Sequence, residues 1–211
     1  MNTSYIISCA ITGVLSFLLG IFVYSKNRGS SLNKVCMLLN FGVSLWAWSL
    51  FGRDLAYEKP TALFFVRLSY VGTIFVPSLF FHFVNYLLKF KKNGLIVAFY
   101  GFSVTLLAFN LTPLLIEDVG PILSFRYYGI PGPVYPFYTI FLIGVMSYSL
   151  YILIKYFEKS EGQTRNQIKY LLFGTVIGFL GGITTFLPAF NIEIFPFGFY
   201  FVSVYVVIIS Y

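Results

Sequence analysis

Seven long apolar runs dominate this sequence, and they constrain the fold more than any other feature. A helix needs about 20 mostly apolar residues to cross a lipid bilayer, and runs of this length exclude a barrel of shorter strands. Only 10% of the 211 residues are charged, whereas soluble domains carry about 25%, so a water-soluble fold is excluded. We therefore predict an all-α membrane protein, a bundle of seven transmembrane helices. The runs are Ser4–Tyr24, Val35–Gly52, Thr61–Leu88, Gly94–Thr112, Pro136–Ile154, Lys169–Phe190 and Ile194–Tyr211.

Positive charges are distributed unequally between the connections. If the N-terminus lies outside, ten of the fourteen Lys and Arg residues fall on the inner side and five of the seven acids on the outer side. Because Lys and Arg near the ends of spans are retained in the cytoplasm, we predict an external N-terminus and a cytoplasmic C-terminus. Anionic lipid headgroups then account for the net charge of +7, and nucleic acid is not expected as a partner.

The sequence contains no pattern that predicts catalysis, a metal site or a cofactor. It has a single histidine, and its carboxylates lie in connections without the fixed spacing that acid–base catalysis requires. Cys9 and Cys36 are expected near opposite membrane faces, too far apart for a disulfide. An intramembrane enzyme is therefore disfavoured, because it would need a pair of catalytic groups.

The third run is the most polar part of the predicted bundle. At 100° per residue, its polar side chains follow one face of the helix, which cannot face lipid at low cost. Pro77 removes one backbone hydrogen bond and predicts a kink in the middle of this face. His82 is either a structural hydrogen-bonding group or a proton switch. The polar residues of this face are Arg67, Tyr70, Ser78, His82 and Asn85.

A cation and large aromatic side chains are expected in the outer half of the bundle. Trp46, Trp48, Arg67 and Tyr70 form the predicted ligand-binding site, since pockets combine apolar walls with a few polar anchors. The alternatives are interfacial anchoring for the two indoles and, for Arg67, snorkelling to the interface or pairing with Asp54. The long connection at residues 113–135 either folds over this site as a lid or rests on the headgroups.

Glycines on the sixth run predict close helix packing. Gly174, Gly178 and Gly182 give two consecutive G-x-x-x-G steps, a spacing that lets helix backbones approach each other in membranes. Two alternative packings of such an interface could transmit a signal. We therefore assign these glycines, together with Pro77 and His82, a structural or transmission role.

The later half of the chain carries a distinctive motif. It reads RNQIKYLLFG from Arg165 to Gly174 and continues through Gly178, Gly181-Gly182, Leu187-Pro188 and Pro196-Phe197-Gly198. This resembles the R-x-Q-x-K-Y-L-L-x-G…G…GG…LP…P-x-G pattern of the seven-transmembrane sensor region at the N-terminus of bacterial histidine kinases. Tyr70-Val71-Gly72 with Phe75, Pro77 and Phe83, and Trp46 upstream, also resembles the Y-x-G…P…F segment of that family.

The resemblance implies a sensory input domain over residues 1–211 in a bacterial cytoplasmic membrane, without catalytic activity of its own. It implies an extracytoplasmic or membrane-borne signal and a cytoplasmic kinase or other output domain, which we expect after Tyr211. The other expected partners are the lipid bilayer and a second copy of the chain. The alternative function is a small-solute transporter or transporter subunit, whose path the polar third helix would line. The sequence shows no pair of inverted repeats or broken helices, which are typical of transporters and would favour this alternative.

Overall fold

Six long helices build most of the molecule. The computed structural model describes residues 3–90, 92–190, 192–202 and 206–208. All six helices are long and apolar enough to cross a membrane, which confirms the helical membrane class and the first six predicted spans. The helices are α1 Thr3–Lys26, α2 Ser31–Leu55, α3 Lys59–Leu87, α4 Asn93–Asn110, α5 Tyr135–Lys159 and α6 Gly162–Ile183.

The seventh predicted span is described only in part. Residues Phe197–Phe201 form a short 3-10 helix, and residues 202 and 206–208 are helical. Residues 203–205 and 209–211 of the run lie outside the described residues. The described part packs antiparallel to α6, because Gly198 lies against Gly181 and Ile208 against Gly174.

Local sequence explains where several helices begin. Ser30 caps α2, accepting a hydrogen bond from the Asn33 backbone at 3.3 Å, which satisfies one of the free N–H groups of a first turn. Pro60 and Pro136 lie in the first turns of α3 and α5, where a missing backbone donor costs nothing. The helices therefore extend beyond the apolar runs into their polar flanks.

The connection between α4 and α5 contains a β-hairpin, which the sequence analysis did not predict. Strands β1 (Ile116–Ile122) and β2 (Phe125–Pro131) pair antiparallel, and Ile122 pairs with Phe125 across a two-residue turn. The all-α prediction is wrong in this detail. We call the end of the bundle that carries this hairpin the hairpin end.

Helix α3 lies at the centre of the bundle, packed against α2, α4, α5 and both strands. Its contact with α2 is close because Gly72 and Gly42 bring the two backbones together, leaving no room for a side chain at Gly72. Its contact with α4 includes a hydrogen bond of 2.8 Å between Ser78 and Ser103. This central position brings residues of α3 next to the hairpin.

Candidate functional site

A buried ion pair lies at the hairpin end, in the last turn of α2. Arg53 donates from Nε to Oδ1 of Asp54 at 2.7 Å, and the two side chains are 3% and 8% exposed. Nη2 of Arg53 lies 2.7 Å from the same oxygen, but this buried nitrogen makes no well-aligned hydrogen bond. A guanidinium and a carboxylate pair best through two parallel bonds, so the pairing of Arg53 with Asp54 is incomplete.

Aromatic rings from the hairpin enclose this guanidinium. The ring centres of Phe125 and Tyr128 lie 4.9 and 5.0 Å from its central carbon, and that of Tyr5 lies at 6.0 Å. These distances are those of cation–π contacts, which strengthen when water is excluded. Burial raises the pKa of Tyr128 to about 12, so its hydroxyl stays neutral and donates to the Thr185 carbonyl. The hairpin therefore joins the end of α2 to the segment after α6.

Three cavities follow one another from the hairpin end into the bundle. The first, the hairpin cavity, has a volume of about 220 Å³ and is lined by Ile6 and by residues 53–57 and 124–127. The second, the middle cavity, measures about 30 Å³. It shares Arg53 with the hairpin cavity and is also lined by Tyr5, Trp46, Leu50, Val66, Ser69, Tyr70, Thr73, Tyr128, Gly129, Thr185 and Phe186.

The third, the deep cavity, measures about 80 Å³ and has almost entirely apolar walls. It shares Trp46, Thr73 and Phe186 with the middle cavity. Tyr138 also lines it, and its hydroxyl is buried. Its other lining residues are Val43, Val76, Leu142, Met146, Gly178, Phe179, Gly182, Ile183 and Val202.

The deep cavity therefore touches both halves of the bundle. Residues of α2, α3 and α5 form one side of it, and α6 with Val202 forms the other. A molecule or side chain that entered this cavity would contact α6 directly. The cavity chain thus connects the hairpin end to the last helices through shared residues.

The class of this chain follows from its similarity to a known protein family. A family model described as the N-terminal 7TM region of histidine kinase matches residues 8–211. The chain belongs to this family. The resemblance seen in the sequence motifs is thereby confirmed, and so is the assignment to a membrane region of histidine kinases. No curated protein matches the chain.

Two of the four predicted ligand residues of this seven-transmembrane region meet at one cavity. Trp46 and Tyr70 both line the middle cavity, and Tyr70 donates a hydrogen bond of 3.0 Å to the hydroxyl of Tyr135. Trp48 does not join them: it is 41% exposed and lies over Gly13 of α1. It lines an open surface cleft with Thr61 and Phe65 of α3 instead.

Arg67, which the sequence analysis predicted to bind the ligand, also lies outside the three cavities. Its Nη2 donates to the Ile116 carbonyl of β1 at 3.1 Å, and its own carbonyl accepts from Asn110 at 2.9 Å. Asp54, the acid considered as its partner, pairs with Arg53 instead. Arg67 therefore anchors the hairpin to α3.

The polar face of α3 is largely occupied by contacts with its neighbours. Nδ1 of His82 lies 3.0 Å from the Tyr100 hydroxyl of α4, and Asn85 donates to the Phe90 carbonyl at 3.1 Å. Pro77 is buried within α3, which continues on both sides of it. Within the described residues, these bonds use the polar groups that a solute path along α3 would need.

The glycines of α6 have different surroundings. A methyl group added to Gly174 would collide with Ile208, whereas one added to Gly182 would meet nothing within 4 Å. Gly178 is buried and lines the deep cavity. A close backbone approach involves the neighbouring Gly181, which lies against Gly198. The prediction that Gly182 packs closely is therefore wrong, because the helix rotates Gly181 toward the last segment.

Sequence reasoning missed the residues that form the buried ion pair and its aromatic surroundings in this family member. Arg53 was noted only as a charge on the outer side and Asp54 only as a partner for Arg67, while Phe125 and Tyr128 were part of the long connection. An Arg-Asp pair ending an apolar run was the available signal. In the described residues, no group of three His, Cys, Asp or Glu side chains could hold a metal ion.

Proposed function

We propose that this chain is the membrane-embedded sensory input region of a histidine kinase in two-component signalling. It takes up an extracytoplasmic or membrane-borne stimulus and passes it through its last helices to a cytoplasmic output domain. Membership of the family supports the class. The observation that carries the proposal is the deep cavity, whose walls come from both the central helices and α6.

The proposed orientation puts the hairpin end outside the cytoplasmic membrane of a bacterium. Most Lys and Arg residues lie in the connections at the opposite end, as expected of a cytoplasmic face. Residues 1–211 then act as one input domain, and the signal leaves along the run that follows α6. With this orientation, the hairpin cavity is open to molecules from outside the cell.

A signal needs only a modest change in helix packing. A ligand shifts an equilibrium by its difference in affinity for two states, and a tenfold shift requires about 1.4 kcal/mol. Filling or emptying the deep cavity changes the contacts between α6 and the central helices, which supplies such a difference. Trp46 and Tyr70 remain proposed binding residues, because they line the cavities between the hairpin end and α6.

A cavity-filling variant tests this proposal. Val76→Phe adds bulk to the wall of the deep cavity, whereas Val97 is 72% exposed on α4 and gives the matched control Val97→Phe. Both variants would be fused to a kinase reporter and compared at equal membrane levels. We expect Val76→Phe to hold the basal phosphorylation at one extreme and Val97→Phe to leave it unchanged. Equal behaviour of the two variants would contradict the proposed route.

A further inference from the structure

We propose that the hairpin cavity binds a small carboxylic acid with an apolar body, and that Arg53 and Arg126 recognise its carboxylate. This inference rests on the proposed sensory function and names the class of ligand that the region receives. The carboxylate contacts these two guanidinium groups, and the apolar body lies among the aromatic side chains of the wall.

The first support is the incomplete pairing of the Arg53 guanidinium. Guanidinium and carboxylate groups pair best through two parallel N–H···O bonds, but Asp54 presents only Oδ1 to both nitrogens. Nη2 is buried and makes no hydrogen bond. Because this nitrogen is buried beside Oδ1 of Asp54, a ligand carboxylate reaches it only by displacing Asp54, and its two oxygens would then complete the pairing.

The second support is the charge of the cavity wall. Two guanidinium groups line the hairpin cavity, from Arg53 and Arg126, against the single carboxylate of Asp54. The wall therefore has a net positive charge and favours an anion over a cation. Arg126 is exposed and lies over the Tyr127 ring at 5.3 Å, so it is available at the cavity mouth.

The third support is the size and composition of the cavity. An apolar cavity of about 150 Å³ is enough to hold benzene, so the 220 Å³ of the hairpin cavity has room for a ring with a carboxylate. Ile6, Tyr57, Phe125 and Tyr127 provide apolar surface around the charged groups. The cavity thus has room for an acid about the size of benzoate.

Asp54 acts as an internal competitor for the ligand in this arrangement. Removing its charge leaves Arg53 buried without a counter-ion, a state that a bound carboxylate relieves. Asp54→Asn should therefore bind the acid more tightly than the unaltered chain. When the ligand carboxylate replaces that of Asp54 beside Arg53, the contact between the end of α2 and the hairpin also weakens.

Binding of benzoate to the full chain in lipid nanodiscs tests the proposal. The affinity of benzoate would be measured by ligand-observed NMR. Benzamide serves as the uncharged probe of the same shape, and empty nanodiscs serve as the blank. We expect benzoate to bind at least tenfold more tightly than benzamide. Arg126→Gln should weaken benzoate binding severalfold, and Asp54→Asn should strengthen it. Lys155→Gln, which removes the same charge at the opposite end, should have no effect.

Three outcomes would overturn the proposal: no benzoate binding at millimolar concentrations, equal binding of benzamide, or equal effects of Arg126→Gln and Lys155→Gln. If Asp54→Asn does not fold, the comparison of the other two variants still decides. If any of these outcomes occurs while Val76→Phe still holds the basal phosphorylation of a kinase fusion at one extreme, the ligand class is rejected and the proposed function stands.

Discussion

Replacing Gly181 by alanine is the sharpest perturbation of the proposed signal path. Gly181 lies where α6 meets the last segment, and an added methyl group would overlap the backbone carbonyl of Gly198. Backbone cannot move aside as a flexible side chain does, so α6 and the last segment must separate. Gly182, the next residue on α6, has nothing within 4 Å of the same methyl group.

The expected magnitude follows from two opposing effects. Overpacking of a close contact costs about 1–3 kcal/mol, and replacing glycine by alanine inside a helix returns up to about 1 kcal/mol. Because the overlap is with backbone, the overpacking cost lies in the upper part of its range, and a net cost of about 1–2 kcal/mol falls on whichever packing state brings Gly181 and Gly198 together. A change of this size shifts an equilibrium by a factor of about 5–30. Gly182→Ala carries only the favourable helix effect.

Phosphorylation by a kinase fusion measures the consequence. Gly181→Ala should shift basal output by about 5–30-fold in one direction, at unchanged membrane levels. Gly182→Ala should keep the normal basal output and the full stimulated range. If the two variants give the same output, the contact between α6 and the last segment does not carry the signal, and the reasoning from their close approach fails.

Three further predictions concern other parts of the bundle. Gly178→Leu should fill the deep cavity and restrict kinase output, whereas Val176→Leu, at a residue 42% exposed, should leave the output unchanged in the same fusion. Tyr70→Phe removes one hydrogen bond and should lower the free energy of unfolding by about 1 kcal/mol, as measured by denaturation in micelles. Hydrogen bonds from Lys59 and from the Val119 backbone lower the pKa of Asp118. The ionised Asp118 therefore stabilises the fold fully above the ordinary carboxyl pKa, and this stabilisation is lost as the pH falls through the lowered pKa. The melting temperatures of the wild type and Asp118→Asn should therefore differ near neutral pH and converge in acid; a constant difference would contradict this pairing.

The helices could be predicted from sequence because their signal is local. An apolar run of about 20 residues has few structures available to it in a bilayer, where every backbone polar group must be paired within the chain. Within the part of the chain that the structure describes, the first six runs form helices long enough to span a membrane. The ends were less predictable, since caps such as Ser30 and first-turn prolines extend helices into polar sequence.

The hairpin could not be predicted for an identifiable reason. Its two-residue turn contains Leu123 with a φ of 53°, a left-handed conformation for which such turns usually require glycine or asparagine. Without that signal, the dense glycine and proline of the connection indicated only an irregular loop. The strands are instead supported by tertiary contacts, including the hydrogen bond from Arg67 to Ile116.

By itself, the sequence determined the membrane class, the spans and the family, because these depend on local hydropathy and on a motif contiguous along the chain. Only the tertiary structure decided the site. Arg53 and Phe125 are 72 positions apart in sequence, and nothing local indicates that their side chains meet. The rotation of each helix likewise decided that Gly181 packs closely while Gly182 does not, and that Trp46 faces the cavities while Trp48 faces outward. These differences depend on the rotation of each helix about its axis, which is set by how whole helices pack. The helical period of the sequence estimates that rotation but does not determine it.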